Sequence, residues 1–169
     1  LMNLRDWLFT ISRVRGTITG SPDFGYRMAV KLSANDDVDL SSLRLAGNGG
    51  EPVRGRTIEQ FQRLFGLRPV VRPGYGLAEA TLTVTSAHTG APIRLDAAGN
   101  VSCGRPMRGI EVKIVDSKGM EVSPGQSGEI LVRGEPVFSG YFDDPTATDK
   151  ILRDGWLHTG DLGALDREN

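Results

Sequence analysis

Between residues 43 and 76 the chain alternates short apolar runs with glycine turns around one amphipathic segment, an order that few folds accommodate. Leu43-Arg44-Leu45-Ala46-Gly47 reads as a strand running into Asn48-Gly49-Gly50-Glu51-Pro52. Ile58, Phe61, Leu64 and Phe65 then recur at helical spacing up to Gly66. Val70-Val71 opens a second strand, which Pro73-Gly74-Tyr75-Gly76 is expected to break. Strand, glycine loop, helix, strand, glycine loop predicts a parallel α/β sheet, whose ligands sit where strands end. Upstream, Leu4, Trp7, Leu8, Ile11 and Val14 mark a helix ending near Gly16. Ser21-Pro22-Asp23 should start another, with Phe24, Met28 and Leu32 pointing inward and Asn35-Asp36-Asp37 closing it as a loop.

Beyond residue 90 the period falls to two. Ile110, Val112 and Ile114 alternate with Glu111 and Lys113, Asp116-Ser117-Lys118-Gly119 makes a turn, and Glu129 to Arg133 forms a further strand. Pro145 to Leu152 should be a short helix, and Trp156 to Leu165 a last extended segment. The expected class is therefore α/β: the end of a parallel α/β subdomain over residues 1–92, then a small antiparallel β-barrel-like subdomain over 93–169. His88-Thr89-Gly90-Ala91-Pro92 is the expected connection.

Composition narrows the function. With 20 basic and 21 acidic residues the net charge is -1, which argues against nucleic acid bound through bulk positive charge. No apolar run approaches the ~20 residues of a membrane-spanning helix, and a lone Cys103 fits a cytoplasmic protein without an intrachain disulfide or a cysteine metal cluster. Only His88 and His158 are present, so a histidine metal site is not expected, and the common phosphate-loop, dinucleotide, zinc-protease and serine-hydrolase signatures are missing. What remains is glycine, 22 of 169 residues and nearly twice the usual ~7%, and three glycine-bounded segments. These are Gly49-Gly50-Glu51-Pro52, Tyr75-Gly76-Leu77-Ala78-Glu79-Ala80-Thr81, and Gly155 to Gly163. Singly, each has a structural explanation in turns, packing and caps.

Together and in this order, the segments resemble the adenylate-forming enzyme superfamily, which includes acyl-CoA synthetases, fatty acyl-AMP ligases, luciferases and peptide-synthetase adenylation domains. Tyr75-Gly76-Leu77-Ala78-Glu79 is similar to that family's Tyr-Gly-x-Thr-Glu motif. Gly140-Tyr141-Phe142, followed by Asp154-Gly155-Trp156-Leu157-His158-Thr159-Gly160-Asp161-Leu162-Gly163, resembles its GY(W/F) and DGW(F/L)xTGDLG stretch. Cys103-Gly104-Arg105-Pro106 and Gly128 to Gly134 resemble its GxP and GEIxVRG spacer. Ala78 in the threonine position favours the fatty acyl-AMP ligase branch, as do Ser21-Pro22-Asp23-Phe24 and Asn48 to Pro52. The short span from Thr81 to Cys103 keeps an acyl-CoA ligase open as the other assignment.

The resemblance implies a fragment of the large N-terminal domain of a ligase that joins ATP and a fatty acid, or another carboxylate, into acyl-AMP. It implies transfer of the acyl group to coenzyme A or an acyl carrier protein, with ATP/AMP and Mg2+ as cofactors. The residue chemistry agrees. An aromatic face at Tyr75 can stack on adenine, and the backbone of Gly50, Glu51 and Pro52, with Gly76, can approach the base. Glu79 is a hard oxygen ligand for magnesium and the candidate catalytic residue, while Asp161 can accept from both ribose hydroxyls. These groups are expected to meet around one mononucleotide. Trp156 is expected as a core anchor, His158 as a surface or packing residue, and Arg105, Arg108 and Arg133 as solvated strand faces. The family's phosphate loop and its lysine-bearing C-terminal domain are not recognisable in these 169 residues. The chain is thus expected to need the rest of a parent enzyme for catalysis. The alternative is a non-catalytic nucleotide-binding or protein-interaction module on the same scaffold.

Overall fold

A computed structural model describes residues 4–32 and 37–166; Asn35 and Asp36 of the expected loop lie outside the described residues. In chain order the elements are α1 (Leu4–Val14), β1 (Ile18–Ser21), α2 (Asp23–Leu32), β2 (Leu45–Asn48), α3 (Gly55–Leu64), β3 (Val71–Tyr75), a 3-10 turn (Ala78–Ala80), β4 (Thr85–Ser86), β5 (Arg105–Pro106), β6 (Ile110–Val115), β7 (Gly128–Gly134), α4 (Pro145–Ile151), β8 (Leu152–Arg153) and β9 (Trp156–Gly163). They form two compact units: Leu1–Tyr75 with Ser86–Gly104, and Gly76–Thr85 with Arg105–Asn169. No described helix is long and apolar enough to cross a membrane.

In the first unit β1, β2 and β3 run parallel, with Thr19 beside Ala46 and Ala46 beside Val71. The strand β1 is absent from the sequence expectation. Its Ile-Thr-Gly-Ser carries no alternating apolar signal, and Ile18 is 73% exposed, so only pairing with β2 makes it extended. β3 continues through Pro73-Gly74 to Tyr75 instead of ending there. Proline lacks only the donor: its carbonyl still accepts from the Ala87 amide at 2.9 Å.

The helices cover one face of this sheet. Leu8, Ile11, Tyr26, Ala29, Ile58 and Phe61 are buried with Ala46, Val70 and Val71. In α2 the inward residues are Tyr26 and Ala29, whereas Phe24, expected inside, is 47% exposed. The reason is a polar handle. The Tyr26 hydroxyl donates to the Gly47 carbonyl at 2.8 Å, and its ring meets Trp7 and Phe61 edge-on at centroid distances of 5.6 and 4.9 Å. Each such aromatic pair contributes ~1 kcal/mol beyond area burial. Burial pushes the Tyr26 phenol pKa far up, because a phenolate there would lose its hydration.

Beneath the loop after β2 lies Asp23, the first residue of α2, fully buried. One carboxylate oxygen accepts from Asn48 Nδ2 at 3.4 Å and from the Arg54 amide at 3.1 Å; the other accepts from Thr57 Oγ1 at 3.1 Å. Arg27 Nε at 3.4 Å and Arg54 Nη1 at 3.7 Å supply the counter-charge. A buried charge is tolerable only when paired and hydrogen-bonded in this way.

The second unit is an antiparallel sheet in the order β6-β7-β9-β8. It is an open curled sheet and not a closed barrel. Val112 faces Val132, and Ile110, Ile114, Leu131, Val132 and Leu157 are buried. The turn after β6 forms as expected, with Asp116 Oδ1 accepting from the Lys118 and Met120 amides. Trp156, expected as a core anchor, is half-buried under two cations. Lys113 Nζ lies 4.2 Å and Arg133 Cζ 4.6 Å from its ring centroid. Arg133 also grips Glu111 with two bonds of 3.0 and 2.6 Å, which lowers the Glu111 pKa.

Asp23→Ala would strand the Asn48, Arg54 and Thr57 donors, and it is expected to cost the first unit about 3 kcal/mol. Urea unfolding of the chain checks this; a loss below ~1 kcal/mol would show that the carboxylate does not organise the loop.

Candidate active site

Because β2 and β3 are adjacent and parallel, the segments leaving their C-terminal ends lie side by side. The 49–52 loop follows β2, and Tyr75 closes β3. Their approach is close: a Cβ placed on Gly49 would sit 2.7 Å from the Gly74 carbonyl oxygen. Gly50 has a φ of +81° and is exposed, as are Glu51 and Pro52. The Glu51 carboxylate is turned to α2, where its Oε1 accepts from the Phe24 amide at 2.5 Å. One of its carboxylate oxygens is therefore committed to α2. Together with the Asp23 bonds to Asn48 and Arg54, this fastens the loop at both ends beside the half-buried Tyr75.

Gly76, Glu79 and Asp161 belong to the second unit. Gly76 touches the chain that turns back over it, since a Cβ there would fall 1.5 Å from the Leu82 carbonyl oxygen. Glu79 sits in the 3-10 turn, which is tied to the 136–141 segment. The Glu79 carbonyl accepts from the Phe138 amide at 2.8 Å, Thr81 Oγ1 donates to the Pro136 carbonyl at 2.7 Å, and the Tyr141 hydroxyl donates to Glu79 Oε1 at 2.6 Å. The Tyr141 pKa is raised above the ordinary 10.0, first by this hydrogen bond and then by desolvation and the Glu79 charge. Thr81 and Leu82 both adopt positive φ, 52° and 82°. For non-glycine residues such conformations cost ~1–3 kcal/mol each and tend to occur at functional loops.

Asp161 is exposed on β9. Its backbone is held from below. Thr159 Oγ1 donates to the Ile130 carbonyl at 2.7 Å, the Gly160 amide donates to Glu129 Oε1 at 3.1 Å, and the Asp161 amide donates to Thr159 Oγ1 at 3.1 Å. The pairing of β7 with β9 is irregular between Glu129 and Leu131, which turns Glu129 toward this segment. His158 Nδ1 lies 3.4 Å from Glu129 Oε2, so the part-buried His158 packs against the same carboxylate.

Sequence reasoning missed Asp23, Glu129, Tyr141 and Thr159 as supports of the site. Their motifs were visible, but which carboxylate meets which amide depends on strand register. Among the described residues no cluster of three His, Cys, Asp or Glu side chains forms a metal cage. A lone carboxylate such as Glu79 still suits magnesium, which binds to one or two carboxylates together with substrate phosphates.

Comparison with known proteins places the chain in a family. Residues 2–142 match the family of AMP-binding enzymes. The chain is 42% identical over 131 residues to the long-chain-fatty-acid--CoA ligase of Escherichia coli O157:H7, covering 78% of this chain and 22% of that enzyme. It is 38% identical over 135 residues to 4-coumarate--CoA ligase 1 of Glycine max, covering 78% and 45%. Among solved structures, a fatty acid AMP ligase from Legionella pneumophila superposes with a TM-score of 0.86 at 35% identity, over 98% of this chain and 35% of that one. An adenylation domain of a keto acid-selecting peptide synthetase, bound to its keto acyl adenylate, superposes at 0.85 with 26% identity, over 96% and 35%. The chain belongs to the AMP-binding, adenylate-forming ligase family, and it spans about a fifth of the length of the long-chain ligases it matches.

The Tyr141–Glu79 bond sets a pH signature. A folded pKa above 10.0 means that the contact is complete below that value and is lost as pH rises through the raised one. Glu79→Gln removes the charge and should return the Tyr141 titration toward an ordinary phenol. Ultraviolet phenolate absorbance, with Tyr141→Phe as the blank, reads this directly; an unchanged titration would remove the contact from the description.

Proposed function

We propose that this chain is the nucleotide-recognition part of an ATP-dependent ligase that activates a fatty acid, or a similar carboxylate, as its acyl-AMP. The observation that carries the reading is the pairing of a fastened glycine loop with Tyr75 at the ends of adjacent parallel strands, in a chain of the AMP-binding family. Tyr75 stacks on adenine, and the backbones of Gly50, Glu51, Pro52 and Gly76 border the base. Asp161 accepts from the ribose hydroxyls. Glu79 is the residue that would hold Mg2+ against the phosphates.

Adenylation requires an ionised carboxylate to attack the α-phosphorus in line, so positioning and charge neutralisation do most of the chemistry. When bound, magnesium neutralises phosphate charge. Tyr141 keeps one oxygen of Glu79 oriented by a neutral hydrogen bond. The attacking acid needs no general base, because a carboxylic acid is already ionised near neutral pH. Coenzyme A or an acyl carrier protein then receives the acyl group, and the fatty acid AMP ligase likeness and the long-chain CoA ligase likeness support one acceptor each. Catalysis belongs to a parent enzyme that supplies the phosphate loop and the lysine-bearing domain, and it takes place in the cytoplasm.

Three measurements test this. The 169-residue chain is expected to bind AMP weakly and to show no carboxylate-dependent exchange of pyrophosphate into ATP. Asp161→Asn, which removes a charged acceptor, should weaken AMP by ~10-fold in calorimetry. In the parent enzyme, mass spectrometry should detect acyl-AMP from a fatty acid and ATP, and Glu79→Gln should cut its rate ~10²- to 10³-fold. No adenosine nucleotide binding at all, with the fold intact, would favour the protein-interaction reading.

A further inference from the structure

At the opposite ends of the strands from Tyr75 the first unit has a cleft of about 460 Å³. It opens where β1, β2 and β3 begin, between Ile18, Arg44, Arg68, Arg72, Thr89 and Gly90. Three arginines line it together with the apolar Leu45 and Pro69, and no Asp or Glu does. The sheet makes the room. Register sets Arg72 beside Gly47, and Gly47 beside Gly20, so the face that bears Arg72 carries no side chain at the two neighbouring positions.

Arg72 is inserted deeply enough that its Nε is buried, and among the described residues that atom has no hydrogen-bond partner. Elsewhere in this chain arginines close on carboxylates: Arg15 on Asp39, Arg27 and Arg54 on Asp23, and Arg133 on Glu111. No such closure forms for Arg44, Arg68 or Arg72 among the described residues. A buried, unpartnered guanidinium N–H costs free energy, and three like charges around one concavity repel. Both costs fall if an anion enters, since a one-signed concave wall concentrates its field and guanidinium matches phosphoryl oxygens geometrically.

We propose that this cleft is a binding site for a small phosphate-bearing anion, separate from the loops around Tyr75. Arg72 supplies the inner charge, Arg44 and Arg68 close over the oxygens from the exposed rim, and Thr89 adds a hydroxyl. The cleft is roomy enough to admit a diphosphate group, and three cations match the charge of a diphosphate better than that of a single phosphate.

Isothermal titration of the 169-residue chain at low ionic strength tests this with inorganic pyrophosphate, inorganic phosphate and citrate as probes. Pyrophosphate is expected to bind at one saturable site more tightly than phosphate, with adenosine failing to compete. Arg72→Gln should weaken it ~10- to 100-fold, the loss of one or two charge-assisted bonds. The double variant Arg44→Gln/Arg68→Gln, altered only at exposed positions, should weaken it by a similar factor and serves if Arg72→Gln fails to fold. Pyrophosphate binding that all these substitutions leave unchanged, or its absence, overturns the proposal. Citrate binding as tight as pyrophosphate overturns the phosphoryl assignment.

Discussion

The first unit is organised around a carboxylate with no water to share. Asp23 stands at the start of α2, yet its oxygens are spent on Asn48 at the end of β2, on the Arg54 amide ahead of α3, and on the Thr57 hydroxyl within α3. Three elements distant in sequence are thereby tied at one point, and the 49–52 loop is what spans the gap between two of its ties. Because a buried carboxylate tolerates few alternative geometries, the loop cannot drift without leaving charge or donors unpaired. Glu51 adds a reciprocal link from the loop to the Phe24 amide. The backbone beside Tyr75 is thus held rigid by groups that never need to touch a ligand, the kind of support on which precise recognition depends.

The second unit solves the same problem with a strand irregularity. A regular ladder at Glu129 would leave its carboxylate in the ordinary alternation of β7. The shift between Glu129 and Leu131 instead lets both its oxygens reach β9, one to the Gly160 amide and one toward His158. Thr159 anchors the same turn to the Ile130 carbonyl. Asp161 itself stays exposed, so its surroundings impose no desolvation cost on the charge it would offer a ribose, while its backbone is fixed.

Much of this was legible in the sequence, and the reason differs by element. Helices α1 and α3 follow from 3.6-residue periodicity, and β6 from alternation, because there each residue's environment repeats with the local period. The glycine loops follow from conformational need: Gly49 passes too close to Gly74 for any side chain. Three features were not legible. β1 exists only because β2 lies beside it. The inward face of α2 is chosen by the Tyr26 hydroxyl finding Gly47, a contact 21 residues away, so Phe24 is left outside despite its hydrophobicity. Trp156 looks like a core residue in the sequence, but two strands bring Lys113 and Arg133 over it. In each case the deciding partner lies on another element, where periodicity carries no information.

The Tyr141–Glu79 bond raises the question of whether Glu79 is held ready or held back. A phenol whose pKa is pushed above its usual value remains a neutral donor at physiological pH, so it gives Glu79 one hydrogen bond and no counter-charge. A cationic partner such as arginine would have neutralised the carboxylate and competed with a metal for its charge. Tyrosine instead fixes one oxygen in place by a neutral hydrogen bond, which is compatible with the metal role proposed for Glu79. The strained pair Thr81 and Leu82 immediately follows, and its cost is offset by the bonds that fasten the turn to residues 136–141. Under the function proposed above, a strained turn fastened by bonds fits a Tyr141 that readies Glu79 better than one that sequesters it.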